Sequence, residues 1–146
     1  MTRLLGAFLA LTLMAGGAYA GETASPEGAK QYFVNLKDGD TVSSPVTVVF
    51  GLKGMGVAPA GVEKEGTGHH HVLINRAPLG EGEDGKEEFS LPIPADDQHK
   101  HFGKGQTEVS LDLPAGTHTL QLVLADHNHI PHNPPVTSDV ITITVK

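Results

Sequence analysis

Residues 113–125 read LPAGTHTLQLVLA, and this stretch decides the fold class. Pro114-Ala115-Gly116 is a turn signal. Beyond it His118, Leu120, Leu122 and Leu124 fall on every second position. Successive strand side chains point to opposite faces, so a period of two marks a strand with one face sunk in a core. The pattern recurs outward in both directions. Val46, Val48, Phe50 and Leu52 alternate within 45–52, and Val109, Leu111 and Leu113 within 106–113. Ile141, Ile143 and Val145 oppose Thr142 and Thr144 within 136–145. Residues 31–36 and 69–75 complete the strand candidates. Lys37-Asp38-Gly39-Asp40, the Gly/Pro-punctuated 54–61 and the acidic, Gly-rich 76–88 read as connections. No segment after residue 20 holds a 3.6-residue period. The expectation is all-β: an antiparallel immunoglobulin-like (Greek-key) β-sandwich of about seven strands, with a small barrel as the alternative.

The 146 residues contain no Cys and no Trp, with 18 Gly and 10 Pro. That length suits one domain. Residues 1–20 read as a signal peptide: Arg3 in the n-region, an apolar run over 4–14 and Ala18-Tyr19-Ala20 as a small-x-small cleavage site. The run is short for a membrane span, so no anchor is expected after cleavage. The expected organisation is signal peptide 1–20, flexible leader 21–30 and a single domain over 31–146, in a periplasmic or secreted protein. Loss of Arg3 takes the formal charge from −7 to −8, which argues against nucleic acid as a partner because phosphate binding needs clustered Lys and Arg. Without cysteine, the exported chain has neither a disulfide framework nor a thiolate site.

All nine His lie between His69 and His132. They fall into His69-His70-His71, His99-Lys100-His101 and His127-Asn128-His129-Ile130-Pro131-His132, with His118 apart. On a strand, residues i and i+2 share a face about 6.5–7 Å apart. His69 thus pairs with His71, and His99 with His101 if that segment is extended. Neutral imidazole is the commonest protein metal ligand. With no thiolate and only Met55 left as a thioether after cleavage, imidazole-rich sites suit Cu(II) or Zn(II) rather than Cu(I). The candidate ligands are His69, His71, His99, His101, His129 and His132, three or four of which would hold one ion. Glu108 and Asp126 are candidate orienting acceptors or oxygen ligands. Three histidines have blander readings. His70 shares its face with Val72 and Ile74 and is as readily packing as ligating. His118 occupies the position where sandwich domains often carry a corner Tyr. His127 is uncommitted.

Two alternatives compete with the metal: a structural polar network, and a pH-responsive surface of an envelope interaction module. Protonating all nine His would carry the charge from −8 to about +1 near the ordinary histidine pKa of about 6.5. Catalytic signatures are sparse. There is no Gly-x-Ser-x-Gly elbow and no His-Glu-x-x-His. Gly103-Lys104-Gly105-Gln106-Thr107 lacks phosphate-loop spacing, and 76–88 lacks EF-hand spacing. Whether the chain is an enzyme stays open, with the balance against it.

Three segments together carry a family resemblance: Gly68-His69-His70-His71-Val72-Leu73-Ile74; His101-Phe102-Gly103-Lys104-Gly105-Gln106-Thr107-Glu108; and 116–126 followed by His129-Ile130-Pro131-His132. The set resembles the bacterial domain-of-unknown-function family 4399 (DUF4399), found in small exported proteins, from about Phe33 to Val145. That resemblance implies export and brings no activity. A fainter similarity links 116–118, 126–132 and 141–145 to periplasmic copper-resistance sandwich domains. Here His118 replaces the aromatic residue of those domains, and the expected mature start is Gly21 rather than a histidine.

Overall fold

The computed structural model describes residues 21–146; the expected signal peptide at 1–20 lies outside the described residues. The chain is all-β in two sheets. Its strands are β1 (Lys30–Phe33), β2 (Thr41–Val42), β3 (Val46–Lys53), β4 (Gly56–Val57), β5 (Thr67–Ile74), β6 (His99–Phe102), β7 (Glu108–Leu111), β8 (Gly116–Ala125), β9 (Pro131–Thr137) and β10 (Ile141–Val145). One 3₁₀ turn, Gly85–Phe89, interrupts the β5–β6 connection. The smaller sheet has the order β1-β3-β7. The seven-stranded sheet runs β2-β10-β8-β5-β4, with β6 also on β5 and β9 also on β8.

The main core lies between the sheets. Val46, Val48 and Phe50 of β3 meet Val72 and Ile74 of β5, Leu120 and Leu122 of β8, and Ile143 of β10. These are the residues that the period of two assigned to one face. A second apolar cluster covers the opposite face of the large sheet. There Leu73, Val123 and Ala125 pack under Leu79 and Ile93, with Phe89 alongside, all three supplied by the β5–β6 connection. β5 and β8 are therefore buried on both faces. This explains why TGHHHVLI is almost wholly buried although its hydrophobic pattern is broken by three histidines.

The structure contains more strands than expected, and two pairings are parallel: β2 with β10 and β4 with β5. Each of these short strands has only two residues, too few to carry a readable period. The segment 131–137 departs in another way: the strand expected over 136–145 is divided, with 136–137 closing β9 and 141–145 forming β10. β9 meets β8 through Ala125↔Pro131 and Leu124↔Val136, with a register shift between Leu124 and Ala125. Pro134 and Pro135 sit in the bulged stretch between those pairs, where no ladder hydrogen bond is asked of them.

His118 is a corner residue. Its Nε2–H donates to the Pro114 carbonyl four residues back at 2.8 Å, and its Nδ1 accepts from Asn75 Nδ2 at 2.9 Å. Within residues 21–30, expected as a flexible leader, residues 23–25 lie against β9: Ala24 bridges Asn133, Ser25 N–H donates to Asn133 O, and Asn133 N–H donates to Thr23 O.

Candidate metal centre

The β5–β6 ladder sets His71 directly opposite His101. His69 and His71 project from the same face of β5, so three imidazoles converge on the outer face of the large sheet. Each of His69, His71 and His101 offers a ring nitrogen, and these atoms lie within 4.8 Å of one another. The fourth ring comes from the β8–β9 loop. His129 stacks edge-on against His69 at a centroid distance of 4.9 Å and lies 4.7 Å from His101. Among the four rings the widest separation is 6.0 Å, between His71 and His129.

The hydrogen bonding of these rings is incomplete. His69 and His71 face each other through Nε2 at 3.0 Å, yet both Nδ1 atoms are buried without a partner, as is Nε2 of His101. Buried polar atoms are nearly always satisfied in folded proteins, and leaving one unpaired costs about 1–3 kcal/mol. Three of the four orphaned imidazole nitrogens among the described residues belong to this cluster, the fourth being Nε2 of His70 on the other face, so the cluster is rich in lone pairs that the protein leaves unused. Burial, and then the neighbouring His129 and His101, push His69 down to about 4. Burial and the rings of His69, His101 and His129 push His71 to about 2. His101 is shifted down as well, by burial and His129. These rings are neutral at neutral pH, which is the form that donates a lone pair to a metal.

A tetrahedral ion with Zn–N bonds of about 2.0–2.1 Å holds its ligand atoms roughly 3.4 Å apart. The nitrogens of His69, His71 and His101 need to close by only an ångström or so to reach that spacing. The donor set thus fits a divalent transition metal of imidazole preference.

Two neighbours shape the cluster without joining it. Gly103 follows His101 by two positions, and a Cβ there would overlap the His101 ring, with Nε2 only 2.5 Å away. Gly103→Ala is therefore expected to displace that ring and weaken metal binding about ten-fold, the lower end for a disturbed ligand support. Calorimetry checks this; unchanged affinity would mean His101 does not ligate. Asp126 is buried, and its Oδ1 accepts the N–H groups of Asn128 and Ile130 at 2.8 and 3.0 Å, while Oδ2 accepts from Thr23 Oγ1 at 2.7 Å. Burial opposes ionisation of this carboxyl, but those hydrogen bonds outweigh it and hold Asp126 below the ordinary aspartate value. Asp126 thereby frames the turn that carries His129, which adopts φ 68°.

The remaining candidates fall elsewhere. His99 lies on β6 beside the cluster, but its Nδ1 pairs with Asp96 Oδ1 at 2.7 Å and its Nε2 meets Arg76, itself paired with Glu88. His132 is buried, with ring nitrogens 3.3 Å from Leu124 O and 3.2 Å from Thr67 O. Both rings are occupied by other partners. Glu108 is exposed on β7, in the other sheet. His70 points between the sheets, where Nδ1 meets Gln31 Oε1 at 2.7 Å and the ring packs on Phe50. Thr23 and Gln31 carried no sequence signal, because each acts through long-range placement; Gly103 is local to His101, but its role depends on how closely the ring folds back over it. The Asp96–His99 pair, at i and i+3, is by contrast a contact of short sequence separation.

Residues 48–146 match the family model described as Domain of unknown function (DUF4399). The chain belongs to this family. The DUF4399 match takes in all nine histidines and leaves out β1, β2 and the segment at 21–29. No curated protein matches the chain. No solved structure matches it either.

Proposed function

We propose that this protein binds one divalent transition metal ion, Cu(II) or Zn(II), through His69, His71 and His101, with His129 as the fourth ligand. The observation that carries this reading is the set of three buried, unpartnered imidazole nitrogens in one cluster of neutral rings. The role that fits is sequestration or delivery of the ion, or metal-dependent stabilisation of a domain that has no disulfide. The reading places the protein in the periplasm or outside the cell, in keeping with the sequence of residues 1–20. Among the described residues no helix is long and apolar enough to cross a membrane. We further propose that the two sheets form an immunoglobulin-like Greek-key sandwich, and that an envelope protein is the partner that would receive the ion. The competing pH-responsive surface is less well supported. It needs rings that charge near neutrality, and His69, His70, His71 and His101 are all shifted downward.

Titrating the metal-free, untagged protein with Cu(II) and Zn(II) by calorimetry tests the proposal. One ion per chain, bound more tightly than about micromolar (roughly −8 kcal/mol), is expected. Absence of any such binding would overturn it.

A further inference from the structure

We propose that the segment at 21–26 is a working part of this centre: Thr23, acting through Asp126, latches the loop that presents His129 and so sets how fast the ion leaves. The inference rests on the metal-binding reading above.

The four rings are held in unequal ways. His69, His71 and His101 stand on β5 and β6, fixed by ladder hydrogen bonds along both strands. His129 stands on a tight turn. Its N–H donates to Asp126 O at 3.0 Å, and Asp126 N–H donates to Ile130 O at 2.9 Å. At φ 68° its backbone is left-handed, a conformation that costs a non-glycine residue free energy and persists only where its surroundings enforce it. The Asp126 carboxylate does much of that enforcing. One oxygen holds the Asn128 and Ile130 amides, and the other is held by the Thr23 hydroxyl.

The segment that delivers Thr23 is itself anchored. Ser25 N–H donates to Asn133 O at 3.0 Å and Asn133 N–H to Thr23 O at 2.9 Å, the pattern of a short parallel bridge. Gly21 is buried so closely on Pro131 that a Cβ would overlap its carbonyl oxygen. Beyond Thr23, a cavity of about 560 Å³ separates this segment from the loop at 62–66. No packed side chain fills that space. Once the Thr23 hydroxyl is gone, a buried carboxylate oxygen loses its partner, and the turn has room to swing away from the three fixed rings. Ion release then proceeds through detachment of His129, the one ligand on a loop.

Thr23→Val keeps the side-chain shape and removes only the hydroxyl; Thr23→Ser restores it. Three measurements on the protein read the latch. Amide exchange at Asn128 and Ile130 in the metal-free protein should quicken in Thr23→Val. Cu(II) release to a chelator should accelerate roughly ten-fold, the scale of one charge-assisted hydrogen bond. The nitrogen hyperfine pattern of bound Cu(II) should lose one imidazole. Thr23→Ser should return all three to wild type. Faster exchange with release and spectrum unchanged overturns the proposal, because the contact is then merely structural. Unchanged exchange overturns it as well. Failure of the wild-type protein to take up Cu(II) defeats the metal-binding reading itself. Normal wild-type uptake with no change in Thr23→Val defeats the latch alone.

Discussion

The double substitution His69→Leu/His71→Leu should abolish tight metal binding and, at the same time, raise the melting temperature of the metal-free protein. Both halves follow from the same atoms. Disturbing a residue that merely supports a ligand typically costs 10–100-fold in affinity, so removing two ligands should cost more than about a hundred-fold. In the metal-free protein these rings are a burden. Each keeps an unpartnered Nδ1 in the interior, and their one mutual hydrogen bond is His69 Nε2 to His71 Nε2. Replacing both partners at once leaves no new orphan behind, the circumstance in which losing a buried hydrogen bond is neutral or favourable. Leucine has nearly the volume of histidine, and swaps that conserve volume disturb a core least. The new side chains would adjoin Leu73, Val123 and Ala125, already apolar and buried. A gain of even one or two kcal/mol should lift the melting temperature by several degrees in a domain of this size. Calorimetric titration and thermal melts of chelated protein decide the matter. A large loss of stability in the double variant would mean that the histidines are a structural network and that the orphaned atoms have another explanation.

That trade-off also shows what could be read from the chain in one dimension. The strands in 45–52 and in the 141–145 part of 136–145 were legible because β3 and β10 bury one face in the main core and write that burial as a period of two, while 69–75 and 117–125 kept part of the period although β5 and β8 are buried on both faces. The same period placed His69 and His71 together and sent His70 to the other side with Val72 and Ile74, where it meets Phe50. What the period could not express was pairing. Only the ladder, with His71 opposite His101, tells which β6 histidine joins the cluster and which turns away to Asp96 and Arg76. His129 was named from its crowded neighbourhood, but its access to the cluster depends on a turn framed by Asp126 and on Thr23, about a hundred residues earlier. The second apolar cluster escaped entirely, since Leu79, Phe89 and Ile93 lie in a connection rich in Gly, Glu and Pro, where isolated apolar residues carry no period.

Acidification should destabilise the metal-free protein steeply, beginning well above the pH at which carboxylates titrate. Burial pushes His70 to about 4, while burial together with neighbouring rings pushes His69 to about 4 and His71 to about 2. In the unfolded chain each ring returns to about 6.5. Below that value the unfolded state takes up protons that the folded state refuses, so unfolding becomes more favourable as pH falls. The stability is thus fully present above about pH 6.5 and is lost progressively down to about pH 4, where His69 and His70 begin to charge in the folded state and only His71 still refuses. Each proton of difference is worth about 1.4 kcal/mol per pH unit. Two or three such protons over two pH units remove roughly 5–8 kcal/mol, the lower part of the about 5–15 kcal/mol of a typical domain, so unfolding is expected to come within reach near pH 4.5. Asp126 acts in a separate window. Its depressed carboxyl contributes stability that is lost only below the ordinary aspartate value of about 3.9. Urea unfolding followed from pH 7.5 to 4 should show stability falling with a slope approaching three protons, while the double leucine variant should fall with a slope of between one and two, left by His70 and His101. Bound Cu(II) or Zn(II) should add stability near neutrality and steepen the fall, because protons and metal compete for the same lone pairs. A stability profile that stays flat between pH 7.5 and 5 would mean that the three rings are not held neutral by burial, and the case for a preformed imidazole site would go with it.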